Sequence, residues 1–178
     1  MNKIDSVEKK IAMMTENGFN EAEFITLQKA IMGKNAHTKI ISSHIGLVYS
    51  DAKTGNGINY AVDHALSETL AIDYDCLIVV GGSEHIEFLC EEPHAIRLVR
   101  AFLRESMPIL VVSEGSKLLN VIGDNRFSEL SYEDKEYLNS DSVFWNINGG
   151  GLAATFKIFF ETVCSKKLEK SDSKGVAA

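Results

Sequence analysis

Pro108-Ile109-Leu110-Val111-Val112 is an unbroken apolar run that passes directly into Ser113-Glu114-Gly115-Ser116. A buried strand that breaks into a small-residue turn and then a helix holds the residue at its tip exposed, beside helix N-terminal amides that stabilise negative charge. Ser113 occupies that tip, so the segment has the shape of a nucleophile elbow with a hydroxyl in the reactive place. The chemistry in reach is acyl transfer, on condition that a base takes the proton, because a serine hydroxyl is not appreciably ionised at pH 7. A plainer role is also open: Ser is a preferred N-cap, and Ser113 would cap a helix opening at Glu114.

Few other side chains are placed to assist. His85 follows Gly82 and would orient or deprotonate Ser113 if its loop folds over the elbow; otherwise it faces solvent. Glu114 is next to Ser113, but neighbours on a tight turn point apart, which suits Glu114 to a cation or a ligand amine at a pocket mouth. Asn20, Glu21 and Glu23 open a helix, where acids in the first turn favour the macrodipole. His64 and His94 have charged neighbours and are expected at the surface, and His37 and His44 receive no role. Cys76, Cys90 and Cys164 are odd in number and widely spaced, which reads as reduced thiols rather than a disulfide or zinc framework. Glu91 and Glu92 beside Cys90 disfavour a reactive thiolate. No metal or other cofactor is implied.

The elements that must position these residues alternate between strand and helix. Lys10–Thr15 reads as a strand, followed by a helix carrying Phe19, Ala22, Phe24, Leu27, Ala30 and Ile31 and stopping near Gly33; His37–Ser43 is the next strand. GLVYS and GINYA, separated by DAKTGN, form a small hairpin outside the main sheet. Asp75–Val80 is a central strand ended by Gly81-Gly82, with helices over Ser83–Cys90 and Glu92–Glu105, the latter with Pro93 in its first turn and Arg97, Arg100 and Arg104 on its solvated side. After the elbow a helix runs through Leu119, Asn120–Asp141 is irregular, Ser142–Ile147 is the last strand, and Leu152–Cys164 is a long apolar helix. The pattern predicts a three-layer α/β sandwich, a parallel sheet with helices on both faces and one hairpin excursion. Ligands of such sheets gather at the carboxyl ends of the strands. Gly81, Gly82, Ser83, Glu114, Gly115, Asn148, Gly149 and Gly150 are therefore the candidate ligand-binding residues.

The 178 residues suit one domain over 1–165, with 166–178 as a polar, disordered tail. A net charge of −7 argues against a nucleic-acid partner. No stretch approaches the roughly 18 apolar residues of a membrane span, and the polar N-terminus lacks a signal-peptide run, so the expected location is the cytoplasm.

GFNEAEF (Gly18–Phe24), IVVGGS (Ile78–Ser83), VVSEGS (Val111–Ser116) and NGGGLAATF (Asn148–Phe156), in that order and spacing, resemble the PfpI family of intracellular proteases and protein deglycases in the class I glutamine amidotransferase-like superfamily. GINYAVDHALSETLAIDYDCLIVVGG (Gly57–Gly82) is also similar to the C-terminal domain of large-subunit catalases, a degenerate branch that lacks the nucleophile. The resemblance implies a flavodoxin-like sheet, a homodimer or higher homo-oligomer, and a cysteine at the elbow paired with a glutamate. Here Ser113 falls at the cysteine position and Glu23 at that of the glutamate. Half a site follows: the expectation is a non-catalytic domain that binds a small polar molecule or assembles with itself. The alternative is a serine hydrolase or amidase using Ser113 with His85 or Glu23, with amides of the elbow and of Gly81-Gly82 as its oxyanion site. A glyoxalase or deglycase activity would need a cysteine that the elbow lacks.

Overall fold

The computed structural model describes residues 7–53 and 56–175. Part of the expected hairpin turn (54–55) and the last residues of the expected tail (176–178) lie outside them. Seven strands form the main sheet: β1 (Lys9–Met14), β2 (Ala36–Ser42), β5 (His64–Ala65), β6 (Cys76–Val79), β7 (Ile109–Val112), β8 (Tyr137–Ser140) and β9 (Val143–Asn146). Their spatial order is β5-β2-β1-β6-β7-β9-β8, parallel throughout except for β8, which runs antiparallel on the β9 edge. β3 (Leu47–Tyr49) and β4 (Asn59–Ala61) form the separate antiparallel hairpin that the sequence predicts.

Period-2 alternation divides the strands between two cores. Ile11, Met13, Cys76, Ile78, Leu110 and Val112 face α1 (Glu21–Met32) and α5 (Leu152–Gly175), which contribute Phe24, Leu27, Phe156 and Phe159. Ala12, Met14, Leu77, Val79, Ile109 and Val111 face the other way, onto α2 (Ser83–Glu91), α3 (Pro93–Arg104) and α4 (Ser116–Val121). Strands covered on both faces carry no polar alternation, which is why CLIV and ILVV are wholly apolar.

Some elements differ from expectation. β8 lies within the stretch expected to be irregular: YLNS is short and half-polar, as an antiparallel edge strand needs only one apolar face. α5 continues past Cys164 to Gly175, because the polar residues that follow contain no helix breaker before that glycine. Arg97 does not lie on a solvated face but donates to the Leu66 and Thr69 carbonyls, at 2.9 and 3.0 Å, tying α3 to the segment before β6. Among the described residues no helix is long and apolar enough to cross a membrane.

The turn after β6 is closely packed against the 18–20 backbone. Gly82 has φ +124°, and a Cβ built there would meet the Gly18 carbonyl oxygen, the Phe19 Cα at 2.9 Å and the Asn20 nitrogen at 3.0 Å. Backbone rather than flexible side chain blocks the space, so nothing moves cheaply aside. Gly82→Ala is expected to destabilise the protein by about 3 kcal/mol, combining left-handed strain with a backbone clash. Urea unfolding measures it; a loss under about 1 kcal/mol would mean that the 18–20 segment yields.

Candidate functional site

Ser113 is the first residue after β7, and its φ is +50°, a left-handed conformation that a non-glycine residue adopts only when its surroundings impose it. Its carbonyl is held on one side by the Trp145 indole, which donates at 3.0 Å, and by the Ser116 hydroxyl at 3.4 Å. The hydroxyl is aimed across the sheet's carboxyl edge and donates to Glu23 Oε2 at 2.8 Å. Ser113 is thus an elbow tip and not a helix cap: the turn 113–115 carries no side-chain capping bond.

Glu23 is delivered by the first turn of α1. The Asn20 side chain caps that helix by accepting from the Glu23 amide at 3.0 Å, while the Asn20 amide donates to the Gly81 carbonyl at 2.9 Å. α1 is thereby pinned to the end of β6. The second oxygen of Glu23 accepts from the Gly81 amide at 2.8 Å, and Glu114 Oε2 accepts from the next amide, Gly82, at 3.1 Å. Two successive amides of the Gly-rich turn are therefore filled by two carboxylates of the protein itself. A Cβ at Gly81 would lie 2.5 Å from Glu114 Oε2, 2.7 Å from Glu23 Oε1 and 3.0 Å from Ser113 Cβ, so only glycine admits the three groups together.

Asn20, Glu23, Ser113, Glu114, Ile147 and Asn148 line a cleft of about 370 Å³. The loop after β9 closes one side. Asn146, fully buried, accepts from the Gly149 amide at 2.7 Å and donates to the Gly150 carbonyl and the Thr155 hydroxyl, at 2.9 and 3.0 Å. Asn148 Oδ1 caps the turn from within by accepting from the Gly150 amide at 2.9 Å. Gly149, at φ +85°, leaves space that a Cβ would take from Glu23 Oε2 at 3.2 Å.

Of the residues singled out from sequence, Glu23, Ser113, Glu114 and Asn148 meet in the cleft, and Gly81, Gly82, Gly149 and Gly150 shape its walls through backbone. Gly115 is buried against the Val79 carbonyl, and Ser83, exposed at the start of α2, lies outside the lining. His85 is not brought to Ser113. It is buried beneath the turn, Nδ1 accepting from the Glu16 amide at 2.8 Å and Nε2 donating to the Val80 carbonyl at 3.0 Å. Burial pushes its pKa down to about 4, and the ring is a neutral strut between the segments that follow β1 and β6. Glu21 is also buried, and it accepts from the Gly57 amide of the hairpin at 3.3 Å. Sequence reasoning missed Asn146 and Trp145, whose signal is faint: two polar-tipped residues at the end of an otherwise apolar strand.

The thiols stand elsewhere. Cys76 is fully buried in β6, where desolvation pushes it well above the usual thiol range, and burial also raises Cys90. Among the described residues no three His, Cys, Asp or Glu side chains gather as a metal site would require.

Burial raises the Glu23 pKa; the Ser113 and Gly81 hydrogen bonds oppose the shift and the Glu114 charge adds to it. A carboxyl raised by folding costs stability as it ionises, so its contribution falls as pH rises above its ordinary value of 4.5. Glu23→Gln keeps the acceptor for Gly81 and turns the Ser113 contact round, since the hydroxyl also accepts. Urea unfolding between about pH 5 and pH 8 should show a downward slope with pH in the wild type and a shallower one in Glu23→Gln. Equal slopes would place the Glu23 carboxyl in solvent.

Residues 9–125 match the model of the DJ-1/PfpI family. No curated protein matches the sequence. Among solved structures, Schizosaccharomyces pombe DJ-1 is similar with a TM-score of 0.73 at 16% identity, over 95% of this chain and 99% of that one. A ThiJ/PfpI domain protein from Brachyspira murdochii gives 0.73 at 16% identity over 88% and 96%. A two-domain protein from Anabaena variabilis with DJ-1/ThiJ/PfpI-like and ferritin-like domains gives 0.76 at 16% identity over 86% of this chain; the chain spans 48% of its length. The parallel sheet, the elbow after β7 and the family model over most of the described residues lead to one assignment: this chain belongs to the DJ-1/PfpI family, in the class I glutamine amidotransferase-like superfamily.

Proposed function

We propose that Ser113 stands where active members of the family carry their cysteine, and that this chain binds a small polar ligand in the cleft instead of turning over a substrate. The observation that carries the reading is the occupation of the Gly81 and Gly82 amides by Glu23 and Glu114. Those amides are the donors a developing oxyanion would need, and here they already hold negative charge. The Ser113 proton goes to Glu23, and the histidine nearest in sequence to the Gly-rich turn is committed to backbone. A carboxylate is a weak base toward a hydroxyl, and an alkoxide beside two carboxylates is electrostatically opposed.

The same features favour a ligand that donates. Glu114, Glu23 and the Asn148 carbonyl oxygen present acceptors around the cleft, which suits a protonated amine or an amide N–H. Self-association as a homodimer or higher oligomer belongs to the same reading, and a strictly monomeric species in light scattering would remove it.

A second reading, a Ser113-dependent hydrolase, draws on the strained φ of Ser113 and its contact with Glu23. A fluorophosphonate probe separates the two. Labelling of wild type no greater than of Ser113→Ala is expected; labelling that Ser113→Ala abolishes would overturn the binding reading. In thermal-shift titrations small primary amines should stabilise the wild type more than their carboxylate counterparts. Glu114→Gln should weaken the amine effect about fivefold, the order of one charge-assisted hydrogen bond.

A further inference from the structure

Three asparagines of the chain are followed directly by glycine: Asn17-Gly18, Asn56-Gly57 and Asn148-Gly149. Such a pair can react with itself, because glycine has no Cβ to keep its amide nitrogen away from the side-chain carbonyl carbon of the asparagine before it. The ring closes only if that side chain can swing over the following peptide and if the peptide nitrogen can give up its proton. The three pairs differ in both respects.

Asn17 and Asn148 meet neither condition. The Gly18 amide donates to the Tyr49 carbonyl at 2.8 Å, and Asn17 Oδ1 accepts from the Tyr49 amide at 3.0 Å. Both reacting groups are thus tied to β3, and Gly18 is buried against Glu84 at the start of α2. The Gly149 amide donates to the buried Asn146 side chain at 2.7 Å, and Asn148 Oδ1 accepts from the Gly150 amide at 2.9 Å. Closing either ring means breaking two hydrogen bonds first, so the reaction waits on local opening.

Asn56 is placed otherwise. It is exposed, and its side chain has no hydrogen-bond partner among the described residues. Gly57 is exposed too, and a Cβ built there would meet, among the described residues, only the Ala52 Cβ at 4.0 Å, so the approach to its nitrogen is uncrowded. The Gly57 amide donates to Glu21 Oε2 at 3.3 Å, a longer bond than those that hold Gly18 and Gly149 and beyond the ordinary N–H to oxygen range. Regular pairing resumes only at the next residue, where the Ile58 amide donates to the Ser50 hydroxyl at 2.8 Å.

We propose that Asn56 is a site of spontaneous covalent modification, where the folded chain closes to a succinimide and reopens as aspartate or isoaspartate. The Gly57 nitrogen loses its proton to solvent and bonds to Asn56 Cγ. The bond from Cγ to the side-chain nitrogen breaks, and that nitrogen takes a proton from solvent and leaves as ammonia. Water then opens the ring, at Cγ to give aspartate or at the Asn56 backbone carbonyl to give isoaspartate, and the Gly57 N–H is restored. Water enters, ammonia leaves, and nothing is oxidised or reduced. The product carries a carboxylate beside the amide from which Glu21 accepts, and so adds like charge where the hairpin meets the first turn of α1.

The test is incubation of the full chain in mildly alkaline buffer, folded and in urea, with peptide mass mapping of each Asn-Gly pair over time. In the folded chain the Asn56 peptide should gain the mass of an amide-to-acid exchange at least about tenfold faster than the Asn17 and Asn148 peptides, which must first open locally. In urea the three rates should converge to within about twofold, since the difference lies in the fold. Asn56→Gln keeps a side-chain amide but lengthens the ring that has to close, and it should stop the conversion in that peptide. Conversion of Asn17 or Asn148 in the folded chain at the Asn56 rate overturns the proposal, as does a rate order that persists in urea or a conversion that continues in Asn56→Gln.

Discussion

The Gly81-Gly82 dipeptide is a place where the chain has no room for a side chain and every backbone group is in use. The Gly81 carbonyl accepts from Asn20, the Gly81 amide donates to Glu23, the Gly82 amide donates to Glu114, and the Gly18 carbonyl presses on Gly82 from the other side. The start of α1, the end of β6 and the elbow after β7 are therefore fixed by one turn. The main-chain bond from Asn20 to Gly81 sets α1 against the end of β6 whatever the rotamers, and the two glycine amides then aim the Glu23 and Glu114 carboxylates, so that Glu23 meets Ser113 at the sheet edge. His85 completes the arrangement from below, a neutral ring bridging Glu16 and Val80.

That closeness sets the electrostatics of the cleft. Burying a carboxylate is costly unless donors replace its water, and Glu23 has two, a serine hydroxyl and a glycine amide. Glu114 adds a second negative group without a cation beside it in the cleft lining. A site built this way has spent its hydrogen-bond donors on its own acids. It is prepared for a guest that brings protons and poorly prepared for a reaction that develops negative charge on oxygen.

Much of the fold was legible because it rests on local rules. The apolar runs CLIV and ILVV could only be strands covered on both faces, and Pro93 and Gly33 marked helix ends by known local chemistry. The elbow, Glu23 and the three glycine turns were readable for the same reason, with the family resemblance supplying the register. β8 was not, because a half-polar edge strand is specified by its partner and not by its own pattern. Nor was the fate of His85: the sequence places it after the Gly-rich turn, but whether a ring points up into a cleft or down into the sheet depends on which backbone groups below need partners. Arg97 was misjudged too, as a charged residue on a helix whose neighbours turned out to be main-chain carbonyls of a distant segment. Asn146 escaped notice because its work, pairing a loop with the helix that follows, is invisible until that loop is folded.

The Asn146 side chain has a kinetic consequence. Its amide holds Gly149, Gly150 and Thr155 at once, and it is fully buried, so the loop has no small-amplitude way of opening. Any excursion that frees the Gly149 N–H also strips a buried amide of its partners and detaches the first turn of α5 from β9. The loop therefore shares the opening free energy of the core rather than that of a surface turn, and its amide proton keeps the slow exchange clock of the strands beside it. A cleft wall of three glycines, the most permissive residues available, is in this protein timed by the sheet.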